Sequence, residues 1–274
     1  MSGFSVATPS GEALASEARP VGREPADDAR PAGGGPSPEG TLLQRLLPAP
    51  VVAAEAFADV TEEGLGGAAE GLFAEERALI TRAVDKRRRE FTTARLCAHR
   101  ALAQLGWPPQ PLLRGGRGEP LWPAGVVGSL THCRGYRGAA VARGGDIVTL
   151  GIDAEPVGPL PPGVVEHVAL PEERTMLARL ASDRTPGRAA GDEVPVESLD
   201  HLLFSAKESV YKAWYPLTGA WLGFGDVVVD LAADGVFAVR FLVPVPPAAS
   251  ALLRLEGRWQ VTRGLILTSA VVTA

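Results

Sequence analysis

The stretch IVTLGIDAE, Ile147 to Glu155, decides the architecture. Its β-branched alternation reads as a strand. Side chains alternate along a strand, so Thr149, Gly151, Asp153 and Glu155 share one face while Val148, Leu150 and Ile152 take the other. Two carboxylates then converge at a strand end. Hard oxygen donors so placed suit Mg²⁺, which keeps several waters and takes further ligands from substrate phosphates. The competing reading is an acidic turn leaving the strand.

Upstream of this strand stand two more strand-like segments, GVVGSLTHC and YRGAAVA, with a Gly144-Gly145 turn after them. A Gly/Pro-rich loop precedes them, running back from Gly125. Before it a long helical stretch is expected from about Glu75 to Leu105, ended by Gly106, Trp107, Pro108 and Pro109, and before that a β-like VVAAEAFADV, Val51 to Val60. Downstream, a proline-rich stretch (Pro156 to Pro162) leads to a helix at roughly Pro171 to Ala181. Ser182 to Val196 reads as a loop insertion, Leu199 to Tyr215 as a second helix, and DVVVDL, FAVRFLV, RWQVTRG and LILTSAVVTA as closing strands. The order predicts an α+β protein of two similar halves, 41–150 and 151–274, meeting near Thr149 to Ala154.

Composition narrows the function classes. Residues 1–40 hold 25 Ala, Gly, Pro or Ser and one aromatic, Phe4, too little apolar surface to offset ordering entropy, so a disordered tail is expected. With 274 residues and 46% hydrophobic content the remainder can bury a real core. A net charge of −5 argues against a whole surface that binds nucleic acid. The uninterrupted apolar run of a membrane span is missing, as is a signal peptide at MSGFSVATPS, and Cys97 and Cys133 are too few for a disulfide framework. The chain is read as cytoplasmic, without a membrane or nucleic-acid partner. Among its basic residues only Lys86, Lys207 and Lys212 are lysines, against 24 arginines.

Three further segments carry chemistry. In FSAKESVYKAWY, Ser205 and Glu208 match an S-x-x-E capping box, and Glu208 and Lys212 form an i,i+4 pair, so helix chemistry alone could explain them. However, Ala206, Val210, Ala213, Trp214 and Leu217 already form a buried stripe, which leaves Glu208 and Lys212 on another line of the helix, about 40° apart. A third carboxylate and an ammonium could then face Asp153 and Glu155. In KRRREFTTARLCAHRAL, a core stripe of Val84, Phe91, Ala98, Leu102 and Leu105 brings Arg88 and Arg95 within about 40° of its centre and turns Arg82, Arg89 and Arg100 away. An inward arginine needs an anion, either an internal carboxylate such as Glu90 or a ligand phosphate. In RGGRGEPLWPAGVVGSLTHC, glycines allow close backbone approach while Ser129, Thr131 and His132 supply donors. A Ser129–His132–Asp153 hydrolase lacks the G-x-S-x-G elbow. Zinc held by Cys97, His99, His132 and Cys133 is disfavoured because these pairs diverge on their elements.

Taken together, RRREFTTARLCAHRAL, GEPLWPAGVVGSLTHC, GIDAE and FSAKESVYKAW followed by GAWLGF resemble, in order and spacing, the 4'-phosphopantetheinyl transferases of the surfactin-synthetase-activating and enterobactin type. The resemblance spans roughly Arg87 to Phe224. Ala94 stands where relatives often have Gly, and Thr131 precedes His132 where many have Ser; neither departure removes a charged group. The resemblance implies a pseudo-twofold pair of α+β halves with coenzyme A in the cleft between them. It implies Mg²⁺ on Asp153, Glu155 and Glu208, with Lys212 on the diphosphate. Arg88, the turn Arg117, Gly118, Glu119 and Pro120, Thr131 and His132 would bind phosphates and adenine, helped by Arg95. Glu208, Lys212 and His132 are the expected catalytic groups. The implied reaction moves the phosphopantetheine arm to a serine of an apo acyl or peptidyl carrier protein and releases 3',5'-ADP, in a monomer. A Mg²⁺-dependent phosphohydrolase of coenzyme A or a nucleotide would use the same acids without a protein acceptor.

Overall fold

A computed structural model describes residues 41–60, 71–182 and 194–274. The expected tail at 1–40 and most of the expected 182–196 insertion lie outside the described residues.

Helices α1 (Ala74–Leu79) and α2 (Asp85–Gln104) and strands β1 (Val52–Ala56), β4 (Val126–Cys133) and β5 (Tyr136–Arg143) come first in the chain. Strands β1, β5 and β4 form an antiparallel three-stranded sheet in that order. Against it pack Cys97, Ala98, Ala101 and Leu102 of α2, sharing a core with Ala139 and Val141 of β5. The single long helix expected from Glu75 to Leu105 is two. Between them Ile80, Thr81 and Val84 are β-branched and poor in helix. The Thr81 hydroxyl bonds back to the Arg77 and Ala78 carbonyls, and Val84 turns to extended backbone before Asp85 opens α2. The break leaves Val84 73% exposed, so it is no part of the core stripe. The expected loop before Gly125 contains a short ribbon, β2 (Leu113–Arg114) paired with β3 (Pro120–Leu121), whose tight turn puts Gly118 at φ +88°.

The second sheet is antiparallel and runs β6 (Ile147–Pro156), β10 (Leu265–Thr273), β9 (Glu256–Thr262), β8 (Val236–Phe241), β7 (Val227–Leu231). Short α3 (Val165–Val168) and longer α4 (Pro171–Ser182) precede α5 (Leu199–Thr218). That last helix runs past the expected end at Tyr215, through Pro216, because the proline lies in the final turn and Gly219, at φ +62°, closes it with a bond to the Tyr215 carbonyl. Its face of Leu202, Leu203, Ala206, Val210, Ala213 and Trp214 is buried against this sheet.

Strand β6 joins the two sheets. Leu150, Ile152 and Ala154 point into a core shared with Leu42, Leu43 and Ala140, while Thr149 and Asp153 point to α5. The free edge of β6 faces β4. There the Ser129 hydroxyl accepts the Ile152 N–H at 3.1 Å, so an edge group that would otherwise be unpaired is satisfied.

Candidate active site

The site grows from the match between a helix and a strand. Four helical residues rise about 6.0 Å and two strand residues about 6.6–6.8 Å, so every fourth residue of one line of α5 meets every second residue of β6. Thr149 donates to the Ala213 carbonyl at 2.8 Å, and Gly151 lies against the backbone of Ser209. Ser205 donates to Asp153 Oδ2 at 2.8 Å, and His201 Nε2 lies 3.4 Å from Glu155 Oε2. Gly151 is what allows this approach: a Cβ there would stand 1.9 Å from the Ser209 carbonyl oxygen.

Asp153 is buried and held from three sides. Lys212 Nζ binds Oδ1 at 2.6 Å and also the Ile152 carbonyl at 3.1 Å; the Thr131 hydroxyl reaches Oδ1 at 3.3 Å from β4; Ser205 holds Oδ2. Behind Ser205, Thr268 of β10 lies 3.0 Å from its hydroxyl and donates to its carbonyl. The S-x-x-E match is therefore not a cap. Helix α5 begins at Leu199, one turn and more before Ser205, and the serine serves Asp153 instead.

The side chain of Glu208 makes no hydrogen bond among the described residues. Burial pushes its carboxyl up to about 7; Lys212 opposes that, and the charges of Asp153 and Glu155 add to it. Glu155 is raised by burial and by Asp153, against the pull of His201 and Lys212. Burial disfavours the Lys212 ammonium, yet Asp153, Glu208 and Glu155 together hold its pKa above that of an ordinary lysine. On His201, burial is outweighed by Glu155 and by the Gly158 carbonyl, so its pKa is raised. His132 has an exposed residue surface, but the protein around its ring desolvates it, and Lys212, Arg87 and Arg137 add positive charge, so its pKa is lowered.

Three carboxylates within electrostatic reach of one another are the hard-oxygen set a divalent cation prefers. As placed, Lys212 engages Asp153 and His201 engages Glu155, and no group of three potential ligands is assembled for a metal among the described residues. The donor chemistry fits; the side chains are held by protein partners.

The other expected residues gather less closely. Arg117 reaches α5, its guanidinium 5.8 Å from the Tyr215 ring centroid, and Glu119 accepts the Arg117 N–H at 2.9 Å within the turn that continues through Gly118 to Pro120. Arg88 donates to the Thr81 carbonyl at 2.8 Å and lies 3.9 Å from Asp85. Arg95 is buried, 3.9 Å from the carboxylate of Glu76 and 4.7 Å from the Phe91 ring centroid. Burial lowers its pKa to about 10, Glu76 opposing and Arg114 and Arg87 adding to the fall. Its partner is thus an internal carboxylate, Glu76, and not Glu90, the example named; Glu90 lies 3.3 Å from buried Arg137, which also binds Asp59 at 2.8 Å. Along this face of α2 three buried atoms, Arg88 Nε, Thr92 Oγ1 and Arg95 Nε, have no hydrogen-bond partner. Donors of this kind suit phosphate oxygens. A groove of about 430 Å³ opens elsewhere, between α4 and the β7–β8 edge, and none of the expected site residues lines it.

Sequence reasoning missed Ser205 as a partner of Asp153, His201 as a partner of Glu155, and Arg137. The i,i+4,i+7,i+11 spacing of His201, Ser205, Glu208 and Lys212 was the available signal for the first two; Arg137 had none.

Two family models cover most of the described residues: a 4'-phosphopantetheinyl transferase N-terminal domain over 75–142 and the 4'-phosphopantetheinyl transferase superfamily over 149–264. The 4'-phosphopantetheinyl transferase Svp of Streptomyces mobaraensis is 50% identical over 85% of this chain and 90% of its own. The chain belongs to the 4'-phosphopantetheinyl transferase superfamily. PptT of Mycobacterium tuberculosis, another 4'-phosphopantetheinyl transferase, is 45% identical over 85% of this chain and 99% of its own; enterobactin synthase component D of Escherichia coli is 31% identical over 47% and 55%. The α+β architecture expected from the resemblance is the one observed. This phosphopantetheinyl transferase is an enzyme that takes its group from coenzyme A, in a family that acts on carrier proteins and generally uses a divalent metal. No described helix is long and apolar enough to cross a membrane.

Proposed function

We propose that this transferase binds coenzyme A between its two halves, 41–150 and 151–274, and delivers the 4'-phosphopantetheine arm to the serine of an apo acyl or peptidyl carrier protein, as a cytoplasmic monomer. The observation that carries the reading is the convergence of Asp153, Glu155, Glu208 and Lys212 from β6 and α5. Asp153, Glu155 and Glu208 would hold Mg²⁺, which when bound neutralises diphosphate charge and orients it. Lys212 contributes a fixed positive charge toward the same diphosphate. Arg88, Arg95, Thr131, His132 and the turn Arg117, Gly118, Glu119 and Pro120 grip the phosphates and adenine; the unpartnered nitrogens of Arg88 and Arg95 support that role for the arginines. The serine oxygen attacks the β-phosphorus, its proton passes to Glu208 directly or through a water, and 3',5'-ADP leaves. Mg²⁺ on the site would favour the ionised form of Glu208, the form in which a carboxylate takes a proton. Transfer of this kind depends mainly on positioning and charge neutralisation. Free Cys97 and Cys133 agree with a reducing compartment.

The test uses coenzyme A, Mg²⁺ and an apo carrier protein, and follows the carrier's mass and the release of 3',5'-ADP. Glu208→Gln is expected to lower transfer by roughly 10² or more, with stability within about 1 kcal/mol of the parent. Excess Mg²⁺ should restore only the part of the loss due to binding. A folded Glu208→Gln protein transferring at near the parent rate would sink the assignment.

A further inference from the structure

The line of α5 that carries Ser205, Glu208 and Lys212 begins one turn earlier, at His201. The side chain of His201 is 12% exposed and that of Glu155 24%, so the contact is largely shielded from water. One ring nitrogen, Nδ1, lies 3.1 Å from the Gly158 carbonyl oxygen; a carbonyl only accepts, so Nδ1 is the donor. Gly158 is itself fixed, its N–H donating to Ser198 Oγ at 3.0 Å. On its other side the ring leans on Phe204, centroids 6.1 Å apart. Nε2 is thereby aimed at Glu155 Oε2, 3.4 Å away, and donates to it as the second N–H of an imidazolium. The Glu155 carboxylate has no other hydrogen-bond partner among the described residues, whereas that of Asp153 has three.

We propose that His201 is a positioning residue that keeps the Glu155 carboxylate at the end of β6 beside Asp153 and Glu208, limiting the movement by which it joins them on a divalent cation. This rests on the reading of those three acids as the divalent-cation site. A group that orients a ligand through a hydrogen bond contributes to cation affinity without touching the cation. His201 also ties α5 to the backbone just beyond β6, so the loop bond and the carboxylate bond must be separated.

Two substitutions separate them. Asn at 201 places its amide where Nδ1 stands and keeps the bond to the Gly158 carbonyl; Gln reaches to the place of Nε2 and keeps the bond to Glu155. Binding of Mn²⁺ in the presence of coenzyme A would be followed by the electron paramagnetic resonance signal of the free ion, with thermal midpoints recorded alongside. His201→Asn is expected to raise the Mn²⁺ dissociation constant about tenfold, and His201→Gln to stay within about threefold of the parent. The order reversed, with Asn near the parent and Gln weakened, would mean that His201 serves only the loop and would overturn the proposal. Glu155→Gln is the control. If it weakens Mn²⁺ binding while His201→Asn does not, the positioning role fails and the acid site stands; if Glu155→Gln binds Mn²⁺ as the parent does, the acid-site reading fails and the proposal with it. Should the Asn protein not fold, the Gln protein decides: a loss as large as that of Glu155→Gln overturns the proposal.

Discussion

Helices α2 and α5 are each twenty residues long and each lies across a sheet, but their buried polar groups are treated differently. On α5, Ser205 is engaged by Asp153 and Thr268, and Lys207 donates to Glu173 at 2.7 Å and to the Val168 and Phe224 carbonyls at 2.8 Å each. Glu173 in turn accepts the N–H groups of Leu170 and Val229. On α2, Thr92 and Arg95 are as deeply buried, yet Thr92 Oγ1 and Arg95 Nε have no hydrogen-bond partner. An internally completed polar set fixes geometry, which a catalytic helix requires. A set left with free donors is suited to gripping a ligand instead.

The comparison breaks most visibly at Lys207. Removing one partner of a buried ion pair leaves the other uncompensated, so Lys207→Met should cost about 3–5 kcal/mol. Adding Glu173→Gln should recover part of it, because the amide carbonyl can still accept one of the two backbone N–H groups. Denaturant melts of single and double variants test this, and a loss under about 1 kcal/mol would show that α5 does not depend on the pair.

Gly151→Ala comes next. Its Cβ would meet backbone, which cannot swing aside, so α5 must shift against β6. A loss of roughly 3 kcal/mol is expected, with transfer reduced even where the protein remains folded. Full activity in a folded alanine variant would show that the α5–β6 spacing has slack.

Arg88→Ala tests the open donors of α2. It should leave stability nearly unchanged and raise the KM for coenzyme A by roughly tenfold, the scale of one charged hydrogen bond. If the 3'-phosphate is the partner, dephospho-coenzyme A should discriminate less between parent and variant; equal losses would move Arg88 to another phosphate.

The smallest effect concerns pH. Burial alone would raise the carboxyl pKa of Glu76, but the bond from His99 and those from the Leu112 and Phe73 N–H groups outweigh it, and the folded pKa lies below the ordinary value. A depressed carboxylate contributes stability that is present above its unfolded pKa, about 4.5, and is lost as pH falls through the folded value. Urea melts from neutral pH into acid should therefore show a shallower loss for Glu76→Gln than for the parent. Parallel curves would remove Glu76 from the acid-sensitive groups.

Much of this site was legible in the residues. Strand alternation put Asp153 on one face with Thr149 and Gly151, and the buried stripe of Ala206, Val210, Ala213 and Trp214 set Glu208 and Lys212 on a different line. The α2 reading was weaker, because a stripe drawn through Val84 assumed one continuous helix, and β-branched residues at 80, 81 and 84 end it. Reading Ser205 as a cap failed for another reason. The S-x-x-E pattern is local and the helix start is not, since α5 begins where its apolar face first finds the sheet.

What the sequence by itself determined was which residues share a face: alternation in β6 and the 3.6-residue turn of α5 follow from backbone geometry and need no neighbour. Only the tertiary structure decided which faces meet. That His201 stands at Glu155, Ser205 at Asp153 and Ser209 at Gly151 depends on the relative sliding of helix and strand, and the stop is a glycine against a carbonyl. The three donors on Asp153 come from positions 131, 205 and 212, on β4 and α5. Contacts so far apart in the chain leave no periodic trace, because they arise from packing between elements and not from the path of any one of them.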